Sequence, residues 1–506
     1  MDNKELLKDE TLAEKLIKRG FWLYFFSFLI APSGYIIKLL ISNDLSVQEV
    51  GVIYSIIWFV SILTNYNDLW FTESLQYFLP KFWINKNYNK FKTSIFLALW
   101  TQTFTAILIA FWLWFGADWL WNNYFHSLFA VDALKVFSLW FIVYNLFSTL
   151  ENIFKSFQDT FVYKLVEFIR MWWIVLFTII IFFSHNWNVL TYSIAWFVGA
   201  VVWLFVAFLI FLRKYRKILN KWKIEINKET TKQIFSYSIW VIIGSQAWIL
   251  LSQIDQQMII YFLGPEQAGY YTAYLSLLTI YSIILWPLFS FLFPITTELA
   301  EKKETWKLSM MLNMFLKYFV LFGIYWWIFL FVFWPMIAFV LFWDKFTFSW
   351  ELLKLWWMFI FLNIIVSILF PILAGLGKIK ERVKILWTAA ILNFILNICL
   401  ISYIWVYGAI ISTIVWQMII VTLSFKILKK INIKLSYNRV FFLKNLLLWF
   451  VLWWIGYYFI SNLQFNRVNS LFLILFSGLV YGMIILWLNY NEVRLFVNEV
   501  KKIKWR

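Results

Sequence analysis

Glycine is scarce in this sequence. The 506 residues include 15 glycines, where an average content of about 7% would give about 35. Cysteine is nearly absent: the single Cys399 excludes an internal disulfide and any cysteine-built metal site. The two histidines, His126 and His185, are far apart and read as loop residues rather than as a ligand pair. Charged residues make up only 14% of the chain, against about a quarter in a soluble domain. Soluble-enzyme motifs are missing too. There is no Walker-type phosphate loop: Gly375-Leu376-Gly377-Lys378 lacks the earlier glycine and the following Ser or Thr, and reads as a helix stop. Neither zinc-ligand spacing nor a GxSxG motif occurs. The expectation is a protein without catalytic residues, cofactor or metal centre, and not an enzyme.

What the chain does have is apolar length. Hydrophobic residues are 63% of it and the mean hydropathy is +0.76. A membrane helix takes about 20 such residues. Fourteen stretches qualify: 20–42, 47–70, 93–116, 131–154, 163–184, 188–212, 234–261, 268–296, 310–333, 352–376, 384–404, 407–427, 445–463 and 468–490. The expected fold is an all-α integral membrane protein. Its net charge of +18 does not point to nucleic acid, because the basic residues fall in alternate loops. Of the 44 Lys and Arg, 37 lie on one side of the predicted membrane and two, Lys345 and Arg467, on the other. By the positive-inside rule both termini are cytoplasmic. Residues 1–18 have no apolar core, so no cleavable signal peptide is expected.

The loops suggest a plan. A cytoplasmic segment (1–19) precedes an N-lobe of six helices (20–212). A basic linker (213–233) leads to a C-lobe of six (234–427). Two further helices (428–490) and a cytoplasmic tail (491–506) follow. All outward loops are short, the longest being 117–130, which leaves no room for an external catalytic domain. A membrane glycosyltransferase is disfavoured on that ground.

Tryptophan is as abundant as glycine is rare, with 35 residues. An aromatic belt at the membrane interfaces explains some of them. It does not explain Trp70, Trp119, Trp121, Trp334 or Trp343, which stand beside Asp, Asn or Pro where a turn calls for glycine. An AT-rich genome would depress both residues. The counts look exchanged, as they would be if the source organism reads UGA as glycine and the printed translation reads it as tryptophan.

Charges inside apolar spans are costly, and functional or paired. Asp255 lies in the seventh span among Gln253, Gln256 and Gln257. This cluster could bind Na+ or a proton, with Asp255 and Gln256 as the coupling-ion candidates, or Asp255 could simply be solvated near the interface. Glu167 and Arg170 are three apart, so they can pair on one helix face. Arg170, Lys38 and Lys317 either face a cavity or snorkel to the interface. Glu151 and Lys155 read as an interfacial pair. Asp68 and Glu73, at the inner end of span 2, read as a gate or as a solvated helix end. Asn363, Asn393, Asn397 and Gln417 read as interhelical hydrogen-bonding groups.

Three segments carry a resemblance. Ser252-Gln253-Ile254-Asp255 through Phe262-Leu263-Gly264-Pro265-Glu266-Gln267-Ala268-Gly269-Tyr270-Tyr271 is similar to the seventh-helix pattern of the Wzx-type polysaccharide-lipid flippases. These belong to the multidrug/oligosaccharidyl-lipid/polysaccharide exporter superfamily. Leu69-Trp70-Phe71-Thr72 to Phe78-Leu79-Pro80-Lys81 resembles the exit of that family's second helix. Leu341-Phe342-Trp343-Asp344-Lys345-Phe346 resembles its turn after helix nine. The latter two improve if Trp70 and Trp343 are glycine. The resemblance implies a flippase of a prokaryotic cytoplasmic membrane that moves a polyprenyl-diphosphate oligosaccharide by alternating access. Arg170, Lys38 and Lys317 would meet the anionic headgroup, and Na+ or H+ would be the coupling ion. Membrane lipids are the other partners and nucleic acid is none. A multidrug or cation antiporter of the same superfamily is the alternative.

Overall fold

The computed structural model describes residues 12–433 apart from 68–70, 158, 186, 222, 226–227, 291, 342–343 and 354–356, then 467–488 and scattered positions at 443–458, 490 and 494. All regular structure among the described residues is helical. In chain order the elements are α1 (Leu12–Asp44), α2 (Val47–Asn67), α3 (Phe71–Ile84), α4 (Tyr88–Phe115), α5 (Ala117–Leu120), a π-helical turn (Trp121–Phe125), α6 (Phe129–Ser156), α7 (Thr160–Ser184) and α8 (Val189–Lys221). They continue with α9 (Lys228–Leu263), α10 (Pro265–Ser290), α11 (Leu292–Glu301), α12 (Thr305–Leu341), a 3-10 turn (Asp344–Phe346), α13 (Thr347–Leu353), α14 (Trp357–Gly375), α15 (Ile379–Ile404), α16 (Val406–Lys430) and α17 (Arg467–Leu488).

Eight helical stretches among the described residues are long and apolar enough to cross a membrane: Gly20–Asp44, Val47–Asn67, Tyr88–Phe115, Phe129–Ser156, Thr160–Ser184, Val189–Lys214, Ile379–Ile404 and Val406–Lys430. They coincide with predicted spans 1 to 6, 11 and 12. Helices α9, α10, α12, α14 and α17 cover the positions of predicted spans 7 to 10 and 14, and most of span 13 lies outside the described residues. The protein is a multi-pass membrane protein.

Local chemistry sets the helix ends. Glu49 Oε2 accepts from the Ser46 amide at 2.9 Å and Ser46 Oγ accepts from the Glu49 amide at 3.3 Å, a reciprocal cap that starts α2. Asp159 caps α7 by accepting from the Val162 amide at 3.4 Å. Gly264, at φ +84°, stops α9 in the left-handed conformation that costs glycine least. Pro265 then opens α10, where its missing N–H leaves nothing unsatisfied.

Helix α3 departs from the sequence expectation of a loop after span 2. Leu75, Phe78, Leu79 and Phe82 are buried at helical spacing, and the helix packs on α4 and α6. It is too short to register as a span, yet its apolar stripe is enough to hold it down.

The chain forms two compact units, residues 1–272 and 273–506. In the first, α6 packs against α2, α3, α4 and α8, and α1 packs along α7. In the second, α14 packs against α11, α12 and α16, and α15 pairs with α16. The last turns of α9 and the first turns of α10 belong to the first unit. There α2 meets α10 backbone to backbone. A Cβ added at Gly51 would collide with the Pro265 carbonyl oxygen and stand 2.7 Å from the Gly269 nitrogen. A Cβ at Gly269 would collide with the Val47 carbonyl oxygen. The contact is reciprocal, since the start of each helix faces the glycine four residues into the other.

This crossing makes a comparison of alanine substitutions. Gly51→Ala and Gly269→Ala each overpack the crossing, a change that costs about 1–3 kcal/mol, and each should lower the thermal midpoint of the purified protein. Gly20→Ala, in a helix with open space around it, should leave it unchanged or raise it. Equal behaviour of all three would show that the crossing carries no stability.

Candidate functional site

The polar face of α9 is assembled against α2 and α10. Gln246, Gln253, Asp255, Gln256 and Gln257 are all buried. Asp255 is 7% exposed and accepts a hydrogen bond from Tyr271 Oη at 3.2 Å. The neighbouring Gln256 turns its amide nitrogen to three acceptors: Ser55 Oγ at 3.0 Å, the Ala268 carbonyl at 3.1 Å and Thr272 Oγ1 at 3.1 Å. Its amide oxygen is buried with no hydrogen-bond partner. Gln257 donates to the Ser55 carbonyl at 3.1 Å and accepts from Tyr124 Oη at 3.0 Å. Gln253 reaches Ser61 Oγ at 3.4 Å. One helical turn nearer the end of α9, His126 Nε2 lies 3.2 Å from the Tyr261 carbonyl.

The sequence grouped Asp255 with Gln256, and the structure keeps both buried on adjacent rungs of one ladder. Asp255 pairs with Tyr271, and Gln256 pairs with Thr272. The donors are a carboxylate, an amide oxygen and hydroxyls, an all-oxygen set that suits a hard cation rather than a soft one. The unsatisfied Gln256 oxygen is the feature that calls for a partner, because a buried acceptor left alone costs about 1–3 kcal/mol. Neither Ser55 nor Tyr124 stands out in the sequence, since neither carries a charge or belongs to a motif. Only the pairing of α2 and the π-helical turn with α9 reveals them.

The predicted headgroup cations are each held against an aromatic ring. Arg170, on α7, places its guanidinium carbon 4.6 Å from the Trp203 ring of α8 and 5.9 Å from the Tyr144 ring of α6. Its Nε is buried without a hydrogen-bond partner. Lys38, on α1, lies 5.5 Å from the Tyr54 ring of α2. Lys317, on α12, lies 5.3 Å from the Tyr318 ring and belongs to the second unit. The expected Glu167–Arg170 pair does not form. Glu167 binds Lys164 at 2.7 Å instead, while the Arg170 guanidinium is taken up by two aromatic faces, which attract a cation without a carboxylate. Glu151 and Lys155 do pair, at 2.6 Å. Of the two gate candidates, Asp68 lies outside the described residues. Glu73 lies on α3, and its side chain is likewise outside the description.

The second unit contains an uncharged polar cluster. Asn393 and Asn397 on α15 and Gln417 on α16 are fully buried. Asn397 donates to Asn393 Oδ1 at 3.4 Å, while both amide atoms of Gln417 lack a partner. Their burial is that of groups inside a helix bundle, and the Asn397–Asn393 bond runs within α15. Tyr325 also donates to Asn445 at 2.8 Å, a link that sequence spacing could not suggest.

The comparisons with known proteins agree with this architecture. A family model described as polysaccharide biosynthesis protein matches residues 16–300. An uncharacterized membrane protein of Methanocaldococcus jannaschii is 25% identical over 97% of this chain and 99% of its own. Among solved structures, the lipid II flippase MurJ in an inward closed conformation superposes with a TM-score of 0.69 at 15% identity, covering 94% of this chain and 100% of its own. An inward-facing multidrug resistance MATE transporter of the MOP superfamily gives 0.67 at 11% identity, covering 82% and 98%. At these identities the likeness establishes the fold.

The Tyr124–Gln257 hydrogen bond can be measured directly. In a double-mutant cycle of Tyr124→Phe and Gln257→Leu on unfolding from detergent, the coupling should be about 0.6 kcal/mol, typical of interhelical hydrogen bonds in membranes. Strict additivity would show that this contact contributes nothing to stability.

Proposed function

We propose, for a chain that belongs to the polysaccharide biosynthesis protein family and has the fold of MOP-superfamily transporters, that it flips a polyprenyl-diphosphate oligosaccharide across a prokaryotic cytoplasmic membrane. The observation that carries the reading is Arg170. A guanidinium sits within a helix bundle, flanked by aromatic faces, with Nε unsatisfied and no ion pair to a carboxylate among the described residues. A diphosphate offers pairs of anionic oxygens to which a guanidinium can donate in bidentate fashion. Lys38 is a further cation in the same unit, and Lys317, in the second unit, is a separate candidate for an anionic group. In the proposed cycle the six-helix lobes (20–212 and 234–427) alternate about the basic linker 213–233. Helices 13 and 14 (428–490) follow in the chain, and both termini (1–19 and 491–506) are cytoplasmic. Asp68 and Glu73 act at the inner gate.

Asp255 supplies the coupling charge. Span 7 enters from the cytoplasm in this orientation, so Asp255 lies in the outer half, where Na+ or a proton can reach it from outside. Tyr271, the Gln256 oxygen and the hydroxyls of Ser55 and Thr272 complete the polar surroundings. No covalent chemistry is involved. The buried carboxylate of Asp255 also favours a second reading, a multidrug or cation antiporter. The tryptophan excess belongs to this proposal as well. We infer that many of the 35 tryptophans are UGA codons read as glycine in the source organism, which restores glycine at positions 70 and 343 in the family-like segments.

Reconstitution into vesicles separates these readings. Flipping of a polyprenyl-diphosphate oligosaccharide should fall at least about tenfold in Arg170→Ala, since a hydrogen bond to a charged group contributes about 1.5–3 kcal/mol. Arg170→Lys should recover part of the rate. Asp255→Asn should abolish the response to an imposed Na+ or proton gradient without affecting membrane insertion. Transport of organic cations with no flipping would establish the antiporter, and an unchanged gradient response in Asp255→Asn would remove that residue from coupling.

A further inference from the structure

Position 203 is a conflict between side chain and surroundings. On α8, the residues Ala195, Gly199, Trp203 and Ala207 recur every fourth position, and all four are buried. This is the face that α8 turns to α6 and α7, close enough that a Cβ on Gly199 would stand 2.5 Å from Ile174 Cγ1. Small residues at this spacing let membrane helices approach closely. In the middle of the stripe sits the largest side chain of all. The Trp203 ring centroid is 2.9 Å from that of Phe147, whereas aromatic pairs settle at about 4.5–7 Å. Its indole N–H is buried with no acceptor, although a buried tryptophan ordinarily finds one.

A second position shows the same conflict by a different measure. Trp405 joins α15 to α16 with φ +56° and ψ −139°. This lies beside the backbone region that essentially only glycine enters, and positive φ is an outlier for a bulky residue. The Trp405 side chain is 59% exposed. Three residues on, a Cβ at Gly408 would meet the Leu400 carbonyl carbon at 2.5 Å, so the hairpin is closed by backbone contact. Not every tryptophan behaves this way. Trp172 donates its indole N–H to the Leu29 carbonyl at 3.2 Å, and Trp187 donates to the Phe182 carbonyl at 3.0 Å.

We infer that residues 203 and 405 are glycine in the protein made by its own cell. Among the described tryptophans, ring overlap marks position 203 and a positive φ marks position 405, independent of the residue counts. Position 203 has a functional consequence that rests on the headgroup reading of Arg170. Its indole covers one face of the guanidinium. With glycine there, α8 presents a Gly-xxx-Gly face to α6 and α7, and Arg170 keeps Tyr144 on one side while its other side and its Nε become free for an anionic group.

Two measurements test this. Codons 203 and 405, together with the peptide masses of the protein isolated from native membranes, should show UGA and glycine; UGG codons or tryptophan masses overturn the inference. In a host with the standard code, Trp203→Gly and Trp405→Gly should each raise the thermal midpoint of the full chain, whereas Trp172→Gly should lower it. A lowered midpoint in Trp203→Gly, as expected for a true core tryptophan, overturns the inference at that position. If glycine is found at 203 but Trp203→Gly flips no faster than the printed chain, the residue identity stands and the proposed role of Arg170 falls.

Discussion

Gly51 and Gly269 bring α2 and α10 together through their backbones, and the polar face of α9 depends on that approach. Gln256 spans the crossing, binding Ser55 on α2 and both Ala268 and Thr272 on α10. Its reach is that of one amide group. A methyl at either glycine would separate the helices by more than a hydrogen bond tolerates. The carboxylate of Asp255 and the orphaned oxygen of Gln256 are therefore held in place by the absence of side chains on the two neighbouring helices. Within a bilayer this matters more than in water, because no solvent is present to take up a polar group that loses its partner.

The half-buried cations follow a different rule. Carboxylates are scarce in the spans, and three on or beside these helices are already engaged: Glu167 by Lys164, Glu151 by Lys155, and Asp159 by Lys214. Arg170, Lys38 and Lys317 instead lie over aromatic rings. A ring attracts a cation by about 0.5–2 kcal/mol but does not neutralise it. The Arg170 charge, with no ion pair to a carboxylate among the described residues, stays available to an anion that brings its own oxygens, whereas an ion-paired arginine would first have to be released. The arrangement suits a transient anionic cargo better than a permanent structural pair would.

Much of this architecture was legible in the sequence. Spans are long apolar runs and need no knowledge of neighbours, so α1, α2, α4, α6, α7, α8, α15 and α16 fall where hydropathy places them. Asp255 and its glutamines stood out because charge in an apolar helix is rare. Features that depend on which helices meet were not legible. Helix α3 is too short for a span, Ser55 and Tyr124 are ordinary residues made important by α9, and Arg170 sits at the right spacing for Glu167 yet turns to Trp203. Helical spacing says which groups can meet on one helix. It does not include the aromatic faces that neighbouring helices supply.

The tryptophans show the same limit from the other side. Hydropathy treats tryptophan in a membrane helix as acceptable anywhere, so composition alone raises suspicion without locating it. Packing does locate it, because glycine and tryptophan make opposite demands: one requires a neighbour's backbone to come close, the other requires it to stand off. Along α8 the spacing of Ala195, Gly199 and Ala207 has already fixed how near α6 and α7 lie. A residue midway in that stripe cannot set its own distance. Trp203 overlaps Phe147 and loses its hydrogen bond for that reason, and the helices that bury it are the ones that carry Arg170 and Tyr144. The identity of residue 203 and the accessibility of the Arg170 charge are thus one structural question.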